Sequence, residues 1–153
     1  MDIVNLKDAR QHVDRVAAWH HAEWLYLNPD DTIDKRIQRM EKYYTKNAIP
    51  TMLVSLTDGL LTGTAALVET DMKDRLDLGP WLASVYVDTA SRKQGIGRKL
   101  VRAIMDYAEE SHIGTLYLFT PDQQQFYRNM GWQDFEDCNY RGTDVTIMSY
   151  NIN

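Results

Sequence analysis

The chain has 153 residues, of which 44% are hydrophobic and 25% are charged, and its formal net charge is −5. This length fits one domain with a proper core, the composition is ordinary for a globular protein, and no segment approaches the roughly 20 apolar residues of a membrane span. We therefore expect a single domain over residues 1–153 with no membrane contact, and the acidic balance disfavours a nucleic-acid partner.

The N-terminal segment MDIVNLKDAR is too polar for a signal peptide. The single cysteine, Cys138, rules out an internal disulfide and a cysteine-based metal cluster. Both features indicate a cytoplasmic protein, and we expect no bound metal.

The first third of the chain predicts a short strand and two helices. The strand covers residues 1–6, and Asp8 is placed to cap a helix that begins near Ala9 and ends at Pro29. A second helix begins near residues 30–31, where acidic side chains suit the helix dipole. The apolar faces comprise Val13, Val16 or Ala17, His20, Trp24 and Leu27 in the first helix, and Ile33, Ile37, Met40 and Tyr44 in the second.

A hairpin follows the two helices. Two strand-like runs flank Asp58-Gly59, a dipeptide typical of tight hairpin turns. Gly63 within the second run predicts a bulge or a close backbone approach. The polar stretch over residues 69–79 predicts a loop.

The segment over residues 81–107 predicts a strand, a basic glycine-containing turn and an amphipathic helix that ends near His112. The strand WLASVYV is apolar on both faces, as in a central strand. The turn RKQGIG precedes the helix start, whose unpaired N–H groups and dipole favour a phosphate. Residues 92–102 hold five basic residues and no acid, while the other 12 basic and 22 acidic residues leave a charge near −10. This contrast predicts a small polyanionic ligand.

The last third predicts a strand, a short helix and two more strands. The strand covers residues 116–120, Asp122 is placed to cap the helix, and Gly131 stops it. The final strands lie at residues 132–135 and 145–150. The predicted order is β-α-α-β-β-β-α-β-α-β-β, which indicates an α/β fold with a mixed sheet and helices on both faces.

Two common nucleotide-binding fingerprints fail on this turn. In the dinucleotide pattern G-x-G-x-x-G, the third glycine falls on Leu100, and no acidic residue closes a strand about 20 residues later. The Walker pattern G-x-x-x-x-G-K-[ST] is absent. A nucleotide-binding or nucleic-acid-binding module is therefore disfavoured.

Two motifs resemble those of the GCN5-related N-acetyltransferase (GNAT) superfamily. Arg92-x-x-Gly95-x-Gly97 follows a strand that ends VYVD, like the acyl-CoA signature of the family. The later segment FYRNMGW, over residues 126–132, resembles the FYxxxGF turn of the family. A helix and a strand separate the two motifs, as in the family, and the order of elements matches over essentially the whole chain.

The resemblance implies an enzyme that transfers an acetyl group from acetyl-CoA to a primary amine by direct attack in a ternary complex. It implies that Tyr127 protonates the departing thiolate and that a backbone N–H near Val85 polarises the carbonyl. Backbone groups of residues 84–87 would pair with the pantetheine arm, and those of residues 93–98 would hold the pyrophosphate. The implied cofactor-binding residues are Val85, Tyr86, Val87, Arg92, Lys93, Gln94, Gly95, Ile96, Gly97 and Arg98.

The chain departs from the family pattern at two points. Thr120 stands where many relatives carry an asparagine, which leaves a cofactor contact there in doubt. The strand WLASVYV lacks the carboxylate that serves many relatives as general base. The base is left open among Glu23, His20, His21, Glu69, Asp71 and water, and His20 also fits a satisfied core histidine.

The acceptor side carries aromatic and acidic residues that could hold an amine. They are Trp19, Trp24, Tyr26, Tyr43, Tyr44 and Trp81, with Glu23, Asp30, Asp31 and Asp34. The identity of the acceptor, the use of acyl groups larger than acetyl, and a homodimer are left open. The alternative function is a CoA-binding sensor or regulatory module without turnover.

Overall fold

The computed structural model describes residues 1–152, so Asn153, the last residue of the predicted domain, lies outside the described part. Seven strands form one mixed sheet in the order β1-β2-β3-β4-β5-β7-β6. The strands are β1 (Asp2–Asn5), β2 (Thr51–Thr57), β3 (Leu60–Val68), β4 (Trp81–Val87), β5 (Thr115–Thr120), β6 (Gln133–Tyr140) and β7 (Thr143–Asn151). The α-helices are α1 (Val13–Trp24), α2 (Ile33–Met40), α3 (Ile96–Glu110) and α4 (Gln124–Arg128). This order of elements confirms the predicted one.

The first helix begins later than its sequence predicts. Residues Leu6–Asp8 form a 3-10 turn, in which the Asn5 side chain accepts a hydrogen bond from the Lys7 N–H at 3.0 Å. A second 3-10 turn at Arg10–His12 leads into α1. Asp8 therefore lies within the first turn and does not cap α1, which begins at Val13 without a side-chain cap. The predicted apolar face is otherwise buried at Val13, Val16, Ala17 and His20.

The second helix is capped by Thr32, whose hydroxyl accepts a hydrogen bond from the Lys35 N–H at 3.1 Å. Its predicted apolar face is only partly correct. Met40 is buried, but Ile33 is 40% exposed, and Arg36 is buried in its place. Arg36 lies one turn before Met40 on the same helix face, so α2 presents a guanidinium to the interior.

The hairpin and its glycine confirm the sequence prediction. Asp58 and Gly59 both have positive φ, at 52° and 79°, as a type I′ turn requires. A Cβ on Gly63 would lie 2.8 Å from the Tyr86 carbonyl oxygen and 2.9 Å from the Leu100 side chain. Glycine at this position lets β3 approach β4 and α3 closely.

Two apolar cores lie on opposite faces of the sheet. One packs α1 and α2 against the strands and includes Val16, Met40 and Trp81. The other packs α3 and α4 and includes Leu100, Ile104 and Tyr127. Helices therefore cover both faces, as predicted. No helix within residues 1–152 combines the length and the apolar character needed to cross a bilayer.

The short helix α4 is not capped by Asp122 as predicted. Instead the Thr120 hydroxyl, which is buried, accepts a hydrogen bond from the Gln123 N–H at 3.0 Å. At the other end of α4, Arg128 forms two hydrogen bonds to the Asp134 carboxylate, at 2.8 and 2.6 Å. These contacts hold α4 between the end of β5 and the start of β6.

Candidate functional site: a parted sheet, an amide cradle and a deep cavity

The sheet parts between β4 and β5. The two strands are parallel, and their register includes one pair only, Trp81 with Tyr117. Every other neighbouring pair in the sheet is antiparallel. Tyr86 and Val87 of β4 therefore pair with β3 on one side, while the other edge of residues 84–87 has no β5 partner. That free edge can accept an extended chain with amide groups, in the manner of an added strand.

A bulge in β4 marks the point where the strands separate. Between the pairs Thr64–Tyr86 and Ala66–Ala83, β4 advances three residues while β3 advances two. Ser84 lies within this bulge with φ of 54°, an unusual backbone conformation for a residue other than glycine. The bulge turns the β4 backbone at residues 84–85 toward the gap.

The turn that follows β4 places a row of backbone N–H groups at the start of α3. None of the N–H groups of residues 93–98 donates to an acceptor within residues 1–152. Lys93 and Gly95 have positive φ, at 64° and 80°, and Gly95 is the residue that precedes the helix. Converging amides at a helix start bind anions, because both the N–H groups and the helix dipole favour negative charge.

The two glycines of the turn have different roles. A Cβ on Gly95 would meet nothing within 4 Å, so this glycine is required by its φ and not by space. A Cβ on Gly97 would lie 3.4 Å from the Val87 side chain. Gly97 therefore keeps the start of α3 close to the end of β4.

Arg92 fastens the turn to β4. Its Nε donates to the Val87 carbonyl oxygen at 2.9 Å, and its guanidinium lies 5.5 Å from the centre of the Tyr86 ring. Arg92, Lys93 and Arg98 are exposed around the amide row. We call residues 92–98 the amide cradle. Within residues 1–152 no group of three or more His, Cys, Asp or Glu side chains is arranged to hold a metal ion.

Tyr127 lies on the other side of the gap. It is 8% exposed and packs against Phe126 and Trp132, with ring centres 5.0 and 6.1 Å away. Burial raises the pKa of the phenol well above its usual value, and the nearby Asp122 carboxylate adds to the rise. The hydroxyl forms no hydrogen bond within residues 1–152, and Tyr127 lines a cavity. The proton on this phenol is therefore available to a ligand.

The cavity has a volume of about 1330 Å³ and lies between α1, α2, the loop after β3, and the parted strands. Ser84 and Val85 of the bulge line it, together with Tyr127. It is large enough for a small molecule or the end of a peptide. The predicted site residues thus divide into two groups, since the amide cradle lies outside the cavity lining and Tyr127 lies within it.

His20 is held in a buried hydrogen-bonded chain next to the bulge. The Thr64 hydroxyl donates to the Ser84 carbonyl oxygen at 2.7 Å, so it must accept the hydrogen bond that joins it to His20 Nε2 at 2.9 Å. His20 is therefore a neutral donor at Nε2. Burial first, and then the positive charge of Arg36, lower its pKa to about 3. So weak a base is a satisfied core histidine and fits the role of general base poorly.

Asp71 is an acid on the cavity wall whose pKa is raised. Burial raises the pKa of its carboxyl to about 6, while the Lys42 ammonium acts in the opposite direction. The Asp71 side chain lines the cavity. Of the other acids considered as general base, Glu23 lines the cavity but is exposed, and Glu69 is exposed outside the lining. His21 accepts a hydrogen bond from Arg36 and does not line the cavity.

Sequence reasoning missed two residues of this region. Arg36 was not singled out, although its spacing from Met40 places both on one face of α2. Thr64 lies in a strand with nothing in the local sequence to mark it. Its role depends on pairing β3 with the β4 bulge and on docking α1 against both.

These features define an acetyltransferase fold. An aminoglycoside 6′-N-acetyltransferase complexed with coenzyme A matches with a TM-score of 0.80 at 16% identity, over 100% of this chain and 98% of that one. The putative acetyltransferase yncA from Salmonella typhimurium, solved with acetyl-CoA, matches with a TM-score of 0.75 at 19% identity, over 100% and 94%. A ribosomal-protein-alanine N-acetyltransferase from Brucella melitensis matches with a TM-score of 0.76 at 18% identity, over 99% of both chains. At these identities the likeness establishes the fold alone.

The family is established by the sequence itself. The profile of the acetyltransferase (GNAT) domain matches residues 49–134, more than half of the chain. The chain belongs to the GNAT acetyltransferase family, which confirms the predicted family and its mixed α/β fold. Acetyl-CoA is the acetyl donor that membership of this family implies. No curated protein sequence gives a significant match.

Proposed function

We propose that the protein is an N-acetyltransferase that transfers the acetyl group of acetyl-CoA to a primary amine by direct attack in a ternary complex. The observation that carries the proposal is the continuity of the site. The free edge of β4 precedes the amide cradle at residues 92–98, and its residues Ser84 and Val85 line the same cavity as Tyr127. A donor held along that edge would place its reacting end in the cavity.

The residues present fit coenzyme A. The unpaired N–H groups of residues 93–98 and the surrounding cations suit a pyrophosphate. Val85, Tyr86 and Val87 offer the backbone edge that the amide groups of the pantetheine arm require. Arg92 would add positive charge through its terminal nitrogens, since its Nε is used on Val87. When bound, the thioester supplies the activated acetyl group.

Tyr127 would donate a proton to the leaving sulfur. A thiol has a pKa of about 8.5 in water, so a positioned acid near the departing thiolate lowers the barrier. Burial keeps the Tyr127 phenol protonated over the whole physiological pH range. Its hydroxyl has no competing acceptor within residues 1–152.

Asp71 would remove the proton from the acceptor amine, directly or through water. It is the strongest of the alternatives, because its pKa of about 6 leaves it ionised at neutral pH and basic enough to accept a proton. A carboxylate on the cavity wall also attracts the ammonium form of the acceptor. His20, with its hydrogen committed to Thr64, is better explained as part of the support for the β4 bulge.

The test is thiol release from acetyl-CoA with a panel of amines that includes amino acids, polyamines, aminoglycosides and short peptides. We expect turnover with at least one class and less with propionyl-CoA and longer acyl donors. Mass spectrometry of the product distinguishes an amide from an ester. CoA binding without turnover on any amine contradicts the proposal and favours the regulatory module.

A further inference from the structure

Arg36 is an arginine that α2 buries at its contact with α1. Its side chain is 10% exposed, and it lines the cavity. Its Nε donates to His21 Nδ1 at 3.3 Å and lies 3.2 Å from an Asp31 carboxylate oxygen. Both contacts are made by the Nε side of the guanidinium group.

The other edge of the guanidinium has no partner within residues 1–152. Nη2 is buried without a hydrogen bond, and Nη1 forms none either. Buried donors of charged groups are almost always paired, because an unpaired one is costly. Two parallel N–H donors on one guanidinium edge match the two oxygens of a carboxylate. The free edge of Arg36 therefore points to an anionic group on a ligand.

The local charges also leave a positive excess. Asp31 accepts hydrogen bonds from both terminal nitrogens of Arg39, as well as from the Thr32 N–H. One carboxylate is thus shared between two guanidinium groups, and Arg39 uses it fully. Asp31 thus compensates the charge of Arg36 only in part, and the low dielectric at the cavity wall strengthens the attraction of Arg36 for an anion.

Arg36 lies near His20 and lines the same cavity as the β4 bulge. Its positive charge contributes to the low pKa of His20, whose ring is joined through Thr64 to the carbonyl of Ser84. The same cavity is lined by Asp71 and by Val85 of the free edge. One cavity thus offers an acid for an ammonium group and a free guanidinium for an anion.

We propose that the acceptor carries a carboxylate as well as its amine, and that Arg36 binds this carboxylate through Nη1 and Nη2. The inference rests on the N-acetyltransferase function proposed above. It narrows the acceptor to amino acids and short peptides with a free C-terminus, and it disfavours polyamines and aminoglycosides. In this arrangement the carboxylate lies against α2 while the amine faces Asp71 and the parted strands.

The first test compares amino acids and dipeptides with their C-terminal amides as acceptors. We expect kcat/KM to be at least 10-fold higher for the acids. The amine of an amide is the weaker base and has the larger neutral fraction, so amine reactivity would favour the opposite order. Equal values, or a preference for the amides, overturn the proposal.

Substitutions then distinguish specific carboxylate binding by Arg36 from a general attraction of anions to positive charge. In Arg36→Met we expect the acid-to-amide ratio of kcat/KM to fall about 10- to 100-fold, mainly through KM. The matched control is Arg39→Met, on the same helix, because Arg39 is already paired with Asp31 and is half exposed. This control should keep the ratio within about threefold. If the acid-to-amide ratio falls equally in both variants, Arg36 is not the carboxylate-binding residue.

A binding measurement keeps the inference independent of turnover. Calorimetry with CoA present would compare N-acetylamino acids with their amides, and we expect the acids to bind at least 10-fold more tightly in the wild type alone. If no amine is acetylated but this dependence on Arg36 is found, the N-acetyltransferase proposal fails and the carboxylate site stands. Absence of binding by every N-acetylamino acid contradicts the site. Should Arg36→Met not fold, Arg36→Lys retains the ion pair and still loses the paired donors.

Discussion

The two sides of the site are formed by different kinds of chemical group. The cofactor side consists of backbone groups, namely the amide cradle and the free edge of β4. The acceptor side consists of side chains from α1, α2, the loop after β3 and α4, which meet around the cavity. A backbone site needs only a short local segment with the right φ values, whereas the cavity needs four remote elements in register. The donor is thus specified locally and the acceptor by packing.

The largest effect that we expect involves both sides of the site, because Tyr127 lines the cavity and its proposed role is to protonate the donor's leaving sulfur. Tyr127→Phe removes the hydroxyl and keeps the ring contacts with Phe126 and Trp132. We expect kcat to fall about 100- to 1000-fold, since a positioned acid contributes on this scale. Steady-state kinetics measures kcat, and titration with CoA measures the affinity of the variant for CoA.

The affinity for CoA should change less than twofold in this variant, because the hydroxyl is not part of the amide cradle. Phe126→Leu is the matched control for packing and should retain most of kcat. An unchanged kcat in Tyr127→Phe removes the residue from the reaction.

The second effect concerns the acceptor side alone. Asp71→Asn keeps the shape of the side chain and removes its charge, and we expect kcat/KM at pH 7 to fall about 30- to 100-fold. In the wild type, kcat/KM should fall as the pH drops through about 6, because the Asp71 carboxyl gains its proton there. The pH profile of the variant should lack that step. If the pH profile of Asp71→Asn keeps the fall near pH 6, another group is responsible for it. Glu23→Gln is the matched control.

Asp71→Asn should lose activity without losing stability. The carboxyl pKa rises from 3.8 to about 6 on folding, so the folded state binds the proton more tightly and stability falls as the pH rises through this window. The asparagine variant should therefore be at least as stable as the wild type at pH 7. Urea unfolding at pH 7 separates a loss of activity from a loss of fold.

The same division explains what the sequence could predict. Gly95, Gly97 and Tyr127 stand in local motifs, so their placement at a turn and a short helix follows from neighbouring residues. The burial of Arg36 was not predicted. Its spacing from Met40 places it on the buried face of α2, but the burial of a charged side chain there depends on how α2 docks on α1. The two aspartates expected as helix caps were wrong for a related reason. The hydrogen bonds from the Lys7 and Gln123 N–H groups go to the side chains of Asn5 and Thr120 instead.

The third effect tests the cofactor side. Gly95→Glu introduces a carboxylate next to the amide row, at a position where an added Cβ meets no atom within 4 Å. We expect the Kd for CoA to rise about 10- to 30-fold, equivalent to about 1.4–2 kcal/mol, since the new charge repels a pyrophosphate. Isothermal titration measures the Kd, and the thermal shift with CoA should shrink accordingly.

Gly95→Gln is the matched control, because it has the same shape and the same unfavourable φ of 80° without the charge. It should lose part of the stability of the turn and bind CoA better than the glutamate variant. Equal stabilisation of Gly95→Glu and the parent by CoA would remove the amide cradle from the proposed site.

The smallest effect on turnover, and the one that links the two sides, is expected at Thr64. Thr64→Val keeps the shape of the side chain but leaves His20 Nε2–H and the Ser84 carbonyl without their shared partner. We expect a loss of about 2–3 kcal/mol in the free energy of unfolding, since buried unpaired groups cost about 1–3 kcal/mol each. Turnover should fall only a few fold, because the β4 bulge is also held by its pairing with β3. Urea unfolding checks the stability, and Thr64→Ser, which keeps the hydroxyl, should recover most of it. Equal stability of the valine and serine variants would mean that the chain from His20 to Ser84 does not hold the bulge that joins the cofactor edge to the cavity.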